Sequence, residues 1–331
     1  MSWGAVLRDR AQSFVPHAQN WWHRYSDMAQ LTGPAAFYLA LVCILLFGTW
    51  GVVIALLATA LLVVSGQNIT AETVLSLYRA QPIAPRQGAA LRSALAMLSA
   101  RAELPNAPAI AIIPSMAVGA FSAGHEPRTA ILMTEGLLRR YSLREIVAIT
   151  AHEIAHVKSG DLPFFALADV MTRLAQVLAY AGLALVVFNS LSWLLGEHFL
   201  SWWPVALMLL APFLNSQLQL TLPRQREYDA DRLAATLLGS TDQIAAIALA
   251  MEPDFGSPID DFRFPVPQRR SPLPSPVRAH LAGSTRAAAL RESDPPLLLS
   301  PLTIIDEPLV SLVGVGPIEM RPRNRWPGLW F

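Results

Sequence analysis

The chain has 331 residues, more than one ordinary soluble domain needs. Apolar residues make up 53% and charged residues 15%, well short of the roughly one quarter charged that soluble domains carry, so the composition points to membrane segments. The formal net charge of +1 gives no reason to expect nucleic acid or an anionic partner, and the single cysteine, Cys43, excludes both an intrachain disulfide and a cysteine-built zinc site.

Residues 1–34 read as an amphipathic N-terminal region. Arg8, Asp9, Arg10, His23, Arg24 and Asp27, with no apolar core beside Met1, argue against a cleavable signal peptide. Trp21, Trp22 and Tyr25 suit a membrane interface, and equally an ordinary amphipathic helix. No acidic or basic side chain occurs between Asp27 and Glu72. The membrane segment at 35–66 therefore predicts either one long tilted helix or a tight hairpin bent at Gly48–Gly51.

Between the apolar stretches, Ala84 to Arg101 predicts a helix, and Ala109–Ile113, Val118–Ala123 and Thr129–Thr134 predict strands. A turn at Gly124–Pro127 favours a small antiparallel sheet. Ser142 and Glu145 form a capping box at the start of the next helix, which Ser159-Gly160 closes. Asp161 is expected to cap the helix after it, with Pro163 in the first turn.

Charge-free stretches 174–196 and 199–223, parted by Glu197 and His198, read as a transmembrane helical hairpin. The alternative is a soluble protein with buried apolar helices. Lys158, Arg173, Arg224, Arg226 and Arg232 flank the base of the hairpin and none lies at its tip. That places the tip outside and the base in the cytoplasm. The last 81 residues hold 14 of the 26 prolines, so 251–331 reads as a proline-rich region with one short helix within 277–292. Its basic and aromatic end, 321–331, suits an interfacial anchor or a solvated tail.

The chemistry sits in His152-Glu153-Ile154-Ala155-His156. Residues four apart share a helix face, so both imidazoles reach one metal. Glu153 lies about 100° round from His152 and about 60° from His156, placed to touch a water on that metal without ligating it. Two histidines and a glutamate on an otherwise apolar helix are costly unless paired or bound to metal. A catalytic zinc needs a third protein ligand and an open position. Glu227 is the candidate ligand, and Asp231, four residues on, is placed to accept a hydrogen bond from a ligand histidine.

These motifs resemble the HtpX family of bacterial membrane zinc metalloproteases, related to CAAX prenyl endopeptidases. The matching features run in order: an apolar N-terminal region, Thr134-Glu135-Gly136-Leu137-Leu138, then His152 to His156. Gly160-Asp161 follows, and Arg226-Glu227-Tyr228-Asp229-Ala230-Asp231 comes after two further apolar helices. The chain departs from the family with Gly119-Ala120-Phe121 where Asn-Ala-Phe is usual, and Pro223-Arg224 where Ser-Arg is usual.

The resulting expectation is a mostly α, integral membrane, gluzincin-type metalloprotease, its peptidase domain spanning 73–250 and including the 174–223 hairpin. One zinc ion per chain is held by His152, His156 and Glu227, with Glu153 as general base and Asp231 orienting a ligand. Gly119, Ala120 and Phe121 form a substrate-binding strand, and His280 or Arg224 stabilises the oxyanion. Substrates are misfolded or damaged membrane proteins, by resemblance. The protein sits in the inner membrane, multi-pass, with its site facing the cytoplasm and the bilayer as its other partner. A catalytically silent zinc-binding chaperone or scaffold of the same fold is the alternative.

Overall fold

The computed structural model describes residues 21–67, 70–83, 88–115, 118–125, 127–196, 200–220, 224–250, 283–293, 299–302, 324–325 and 329–330. The first apolar run is a hairpin of α1 (Trp21–Phe47) and α2 (Trp50–Gln67), turned at Gly48 with φ +61°. A side chain at Gly51 would overlap the Cys43 carbonyl, so only glycine lets the two helices approach this closely.

After α3 (Ala71–Tyr78) come β1 (Gln81–Pro82), α4 (Ala89–Arg101), β2 (Ala109–Ile113), β3 (Ala120–His125) and β4 (Arg128–Thr134). The sheet order is β1-β2-β4-β3, with β2 and β4 parallel and the other two pairs antiparallel. The expected antiparallel sheet is thus mixed. The reason lies in β4, whose Ala130–Met133 run is apolar on both faces and at most 1% exposed, which suits an interior position. The β3–β4 hairpin therefore inserts β4 beside β2 and leaves β3 at the edge. Alternate residues serve two cores: Ile110, Ala120, Ile131 and Met133 face α4 and the helices that follow, while Ala111, Phe121, Ala123 and Leu132 face α3.

Then follow α5 (Glu135–Arg140), α6 (Leu143–Ser159), α7 (Leu162–Leu194), α8 (Trp202–Leu220), α9 (Arg224–Leu238), α10 (Thr241–Ala250) and α11 (Gly283–Ser293). A small hairpin of β5 (Asn324–Arg325) and β6 (Leu329–Trp330) ends the described part. The architecture is mostly helical with one small mixed sheet. The helix expected from Ala84 starts after Gly88, and the one expected in 277–292 is α11. The side chains of Trp21, Trp22, Tyr25 and the 321–331 tail lie outside the described residues.

α7 and α8 form the expected hairpin, closed where Asn189 donates to the Leu200 carbonyl at 3.0 Å and accepts from its N–H at 3.3 Å. Tyr38 donates to the Leu207 carbonyl, tying α1 to α8. Among the described residues, α7 alone is long and apolar enough to cross a bilayer; the apolar parts of α1, α2 and α8 are shorter. These helices are not buried in protein. Phe37, Trp50, Leu56, Leu61, Leu191, Leu194 and Trp203 are each more than half exposed, which counts against the soluble alternative.

Candidate metal centre

α6 carries the motif as a rigid, internal rod. At its start the Ser142 hydroxyl accepts from the Glu145 N–H at 3.4 Å, and the Glu145 carboxylate accepts from the Ser142 N–H at 2.8 Å. Its residues from Ile146 to Val157 are all buried, His152 and His156 among them. Gly160, at φ +71°, ends it in a Schellman turn: the Gly160 N–H reaches the Val157 carbonyl and the Asp161 N–H reaches that of His156, both at 3.1 Å.

That turn returns the Asp161 side chain to the helix it has just left. Its Oδ2 lies 3.0 Å from His156 Nδ1, and Arg226 donates to its Oδ1. Asp161 occupies the N-cap position of α7, as expected, and its carbonyl accepts from Phe164 and Phe165, but its side chain makes no capping hydrogen bond because both carboxylate oxygens are committed to His156 and Arg226. Pro163 does lie in the first turn of α7. The Arg226 guanidinium sits 4.7 Å over the Phe164 ring.

α9 packs across α6 and brings Glu227 to the histidines. Glu227 Oε2 is 3.6 Å from His152 Nε2, Oε1 is 3.6 Å from His156 Nε2, and the two Nε2 atoms are 3.1 Å apart. One turn on, the buried Asp231 places Oδ1 3.0 Å from His152 Nδ1. The two imidazoles are thus held alike, each with Nδ1 against an aspartate.

The donor set fits a metal ion. With both Nδ1–H groups given to carboxylates, the two Nε2 atoms are acceptors that face each other and the Glu227 carboxylate, with the Arg286 guanidinium 3.4 Å from His152 Nε2 and 3.7 Å from Glu227 Oε2. Three acceptors converging in this way suit a metal cation. Tetrahedral zinc with bonds of about 2.0–2.1 Å has ligand atoms about 3.3 Å apart; here the two Nε2 atoms are 3.1 Å apart, each has one Glu227 oxygen at 3.6 Å, and one atom from each residue lies within 4.8 Å of the others. His152, His156 and Glu227 are accordingly a group able to hold one metal ion.

Arg286 of α11 had no place in the sequence reading. It grips Asp231 through Nε at 2.8 Å and Nη2 at 2.5 Å. Burial alone would raise the Asp231 carboxyl, but the Arg286 charge and hydrogen bonds outweigh it and bring the pKa down to about 2. Nη2 is also 3.3 Å from His152 Nδ1. That is a packing contact, since Nδ1 already donates to Asp231 and an arginine cannot accept. Burial and the Arg286 charge lower His152, but the hydrogen bonds it donates to the Asp231 and Glu227 carboxylates outweigh them and raise it to about 9. Without a metal, a proton takes the metal's place. Arg286 is in reach because α11 lies tight on α10: a side chain at Gly283 would overlap the Ala248 carbonyl.

Glu153 is buried beside β3, where the Ser122 hydroxyl donates to its Oε2 at 2.6 Å. Gly119 is pinned to Thr134, whose N–H donates to its carbonyl at 3.0 Å and whose hydroxyl accepts from its N–H at 3.1 Å. Ala120 faces α6, whereas Phe121 points away from the histidines and packs edge-on to Tyr78 at 5.3 Å. His280 and the Arg224 side chain lie outside the described residues. The sequence reading missed Arg286, Arg226 and Ser122, and gave Asp161 the helix cap alone. The signal for Asp161 was its place directly after the glycine closing the motif helix; an arginine in the Ala-rich Thr285–Leu290 segment carries no comparable signal.

The model of peptidase family M48 matches residues 85–297. A curated relative, "Protease HtpX homolog" of Acaryochloris marina (strain MBIC 11017), is 35% identical over 218 residues, covering 63% of this chain and 71% of the relative. Relatives of the same description from Desulfatibacillum aliphaticivorans and Pyrococcus furiosus are each 33% identical. They cover 52% and 54% of this chain, and 56% and 62% of their own lengths. Among solved structures, S. mikatae Ste24p is 15% identical with a TM-score of 0.38, covering 82% of this chain and 65% of that one. The family match spans well over half the sequence, and the chain belongs to peptidase family M48, as a metalloprotease of the HtpX type.

Proposed function

We propose that the protein is a membrane-embedded zinc endopeptidase that cleaves misfolded or damaged membrane proteins at a cytoplasm-facing site. The observation that carries the reading is the convergence of His152, His156 and Glu227 on one point beside a buried glutamate. These three residues would hold one zinc ion per chain, which supplies Lewis acidity for a water and for the scissile carbonyl. Glu153 takes a proton from that water and later delivers it to the leaving amine. Asp231 and Asp161 fix the tautomer and the plane of the two imidazoles. Charge developing on the carbonyl oxygen needs a donor, for which we propose His280 or Arg224. The exposed apolar faces of α1, α2, α7 and α8 support a multi-pass placement in the inner membrane, and the arginines near the base of the α7–α8 hairpin support a cytoplasmic site.

The test is purification in detergent, metal analysis, and casein cleavage with and without a chelator. One zinc per chain, chelator-sensitive cleavage and recovery on adding zinc are expected. Glu153→Gln should retain zinc and lose cleavage, whereas Glu227→Ala should lose both. Full cleavage by zinc-loaded Glu153→Gln would end the mechanism. Zinc bound normally with no turnover on any substrate would favour the silent scaffold.

A further inference from the structure

Ser122 is a buried hydroxyl to which the mechanism above gives no task. It lies on the edge strand β3, with its side chain directed at α6. Its single proton has two acceptors within reach, the Glu153 carboxylate Oε2 at 2.6 Å and the Glu153 carbonyl at 3.2 Å. The shorter contact, to the charged group, is the stronger one. It fixes one carboxylate oxygen and leaves Oε1 as the oxygen available to water.

The backbone of the same residue faces the opposite task. Gly119 and Thr134 exchange a ladder bond, and register continues as Ala120 opposite Met133 and Phe121 opposite Leu132. Hydrogen-bonded pairs recur at every second residue of an antiparallel ladder. Gly119, Phe121 and Ala123 therefore spend their peptide groups on β4, and Ala120 and Ser122 turn theirs to the edge of the sheet. A peptide laid along that edge would meet the Ser122 main chain while the Ser122 hydroxyl holds the base.

We propose that Ser122 is a positioning residue that sets the Glu153 carboxylate in register with a peptide on the β3 edge. The proposal rests on Glu153 being the base. A general base contributes about 10²–10⁴-fold, and loose placement forfeits part of that.

The test uses the zinc-loaded, full-length protein. Ser122→Ala should keep zinc content and melting temperature, lower kcat by about tenfold and leave KM within about twofold. A peptide hydroxamate supplies a second readout that needs no turnover. Its affinity should fall about fivefold for Ser122→Ala against wild type, but change less than about twofold when Ser122→Ala is added to Glu153→Ala, because the two residues act as one unit. A kcat within about twofold of wild type, or equal weakening in both backgrounds, would overturn the role of Ser122. Absence of zinc and cleavage in the wild-type protein would instead overturn the protease reading itself.

Discussion

His156 and Asp161 are bound to each other twice: the Asp161 N–H donates to the His156 carbonyl at 3.1 Å, and the Asp161 carboxylate lies 3.0 Å from the His156 ring nitrogen Nδ1. The helix end and the orientation of the imidazole are therefore one device. Arg226 closes it from α9, next in sequence to Glu227, so the element bringing the third donor also clamps the second histidine.

Asp161→Asn should weaken zinc binding by about 10- to 100-fold, as loss of a carboxylate partner of a ligand histidine does. The Schellman turn uses the backbone of Asp161, so the fold should survive. Chelator competition followed by zinc determination measures the effect. Unchanged zinc retention in a folded Asp161→Asn protein would remove Asp161 from the site.

The order of structure along the chain was legible because it rests on local signals. Ser142 and Glu145 cap the motif helix, Gly160 ends it, and the charge-free stretches form the two hairpins. The spacing of His152 with His156, and of Glu227 with Asp231, put each pair on one helix face for the same reason, while the meeting of the two helices rested on the resemblance. What eluded the sequence is non-local. The parallel pairing of β2 with β4 depends on which strand is buried on both faces. Arg286 reaches Asp231 from 55 residues away through the packing of α11 on α10.

Gly283→Ala tests that packing. The added methyl group has no room against the Ala248 carbonyl, and a backbone atom cannot swing aside. α11 must shift, with a stability loss of about 1–3 kcal/mol as for overpacked cores. Arg286 shifts with it, so zinc affinity should fall although the substitution lies a helical turn from the arginine. A melting curve and zinc competition check both effects. Normal melting temperature together with normal affinity would show that α11 does not place Arg286.

Acid stability should carry the mark of Asp231. Its carboxyl is lowered from 3.8 to about 2 in the folded protein. A depressed folded pKa gives stability that is fully present above the unfolded value and is lost as pH falls from about 4 to about 2. The contribution is about 2 kcal/mol. His152 has the opposite sign in metal-free protein, its pKa being raised from 6.5 to about 9. That contribution is complete below about 6.5 and disappears as pH rises through about 9, and zinc should abolish the dependence because it replaces the proton. Melting temperatures of the chelated and zinc-loaded protein between pH 7 and pH 10 should diverge upwards. Parallel curves would contradict the assignment.

A cysteine replacing Glu197, which lies in sequence between α7 and α8, should react with an impermeant thiol reagent outside intact cells, and one replacing Arg139 of α5 should not. The native Cys43 is buried against the α1–α2 hairpin and serves as an internal blank. The reverse labelling pattern would invert the topology.

Proline at Ala120 and proline at Phe121 should fail in different ways. The ladder phase turns the Phe121 N–H to Leu132 and the Ala120 N–H to the edge of the sheet. Proline removes that N–H in each case. At Phe121 it also deletes an aromatic ring packed on Tyr78, so Phe121→Pro should lower the melting temperature and lose activity through misfolding. At Ala120 no ladder bond to β4 is lost. The preceding residue is Gly119, whose lack of a side chain eases the steric restriction that proline imposes on its neighbour. Ala120→Pro should therefore fold and bind zinc, yet cleave casein poorly, because an extended substrate loses a main-chain donor from the edge strand. Such binding reads backbone more than side chains, which suits a protease of misfolded chains. A folded, zinc-loaded Ala120→Pro protein that cleaves casein at the normal rate would show that substrate does not pair with β3 at this residue.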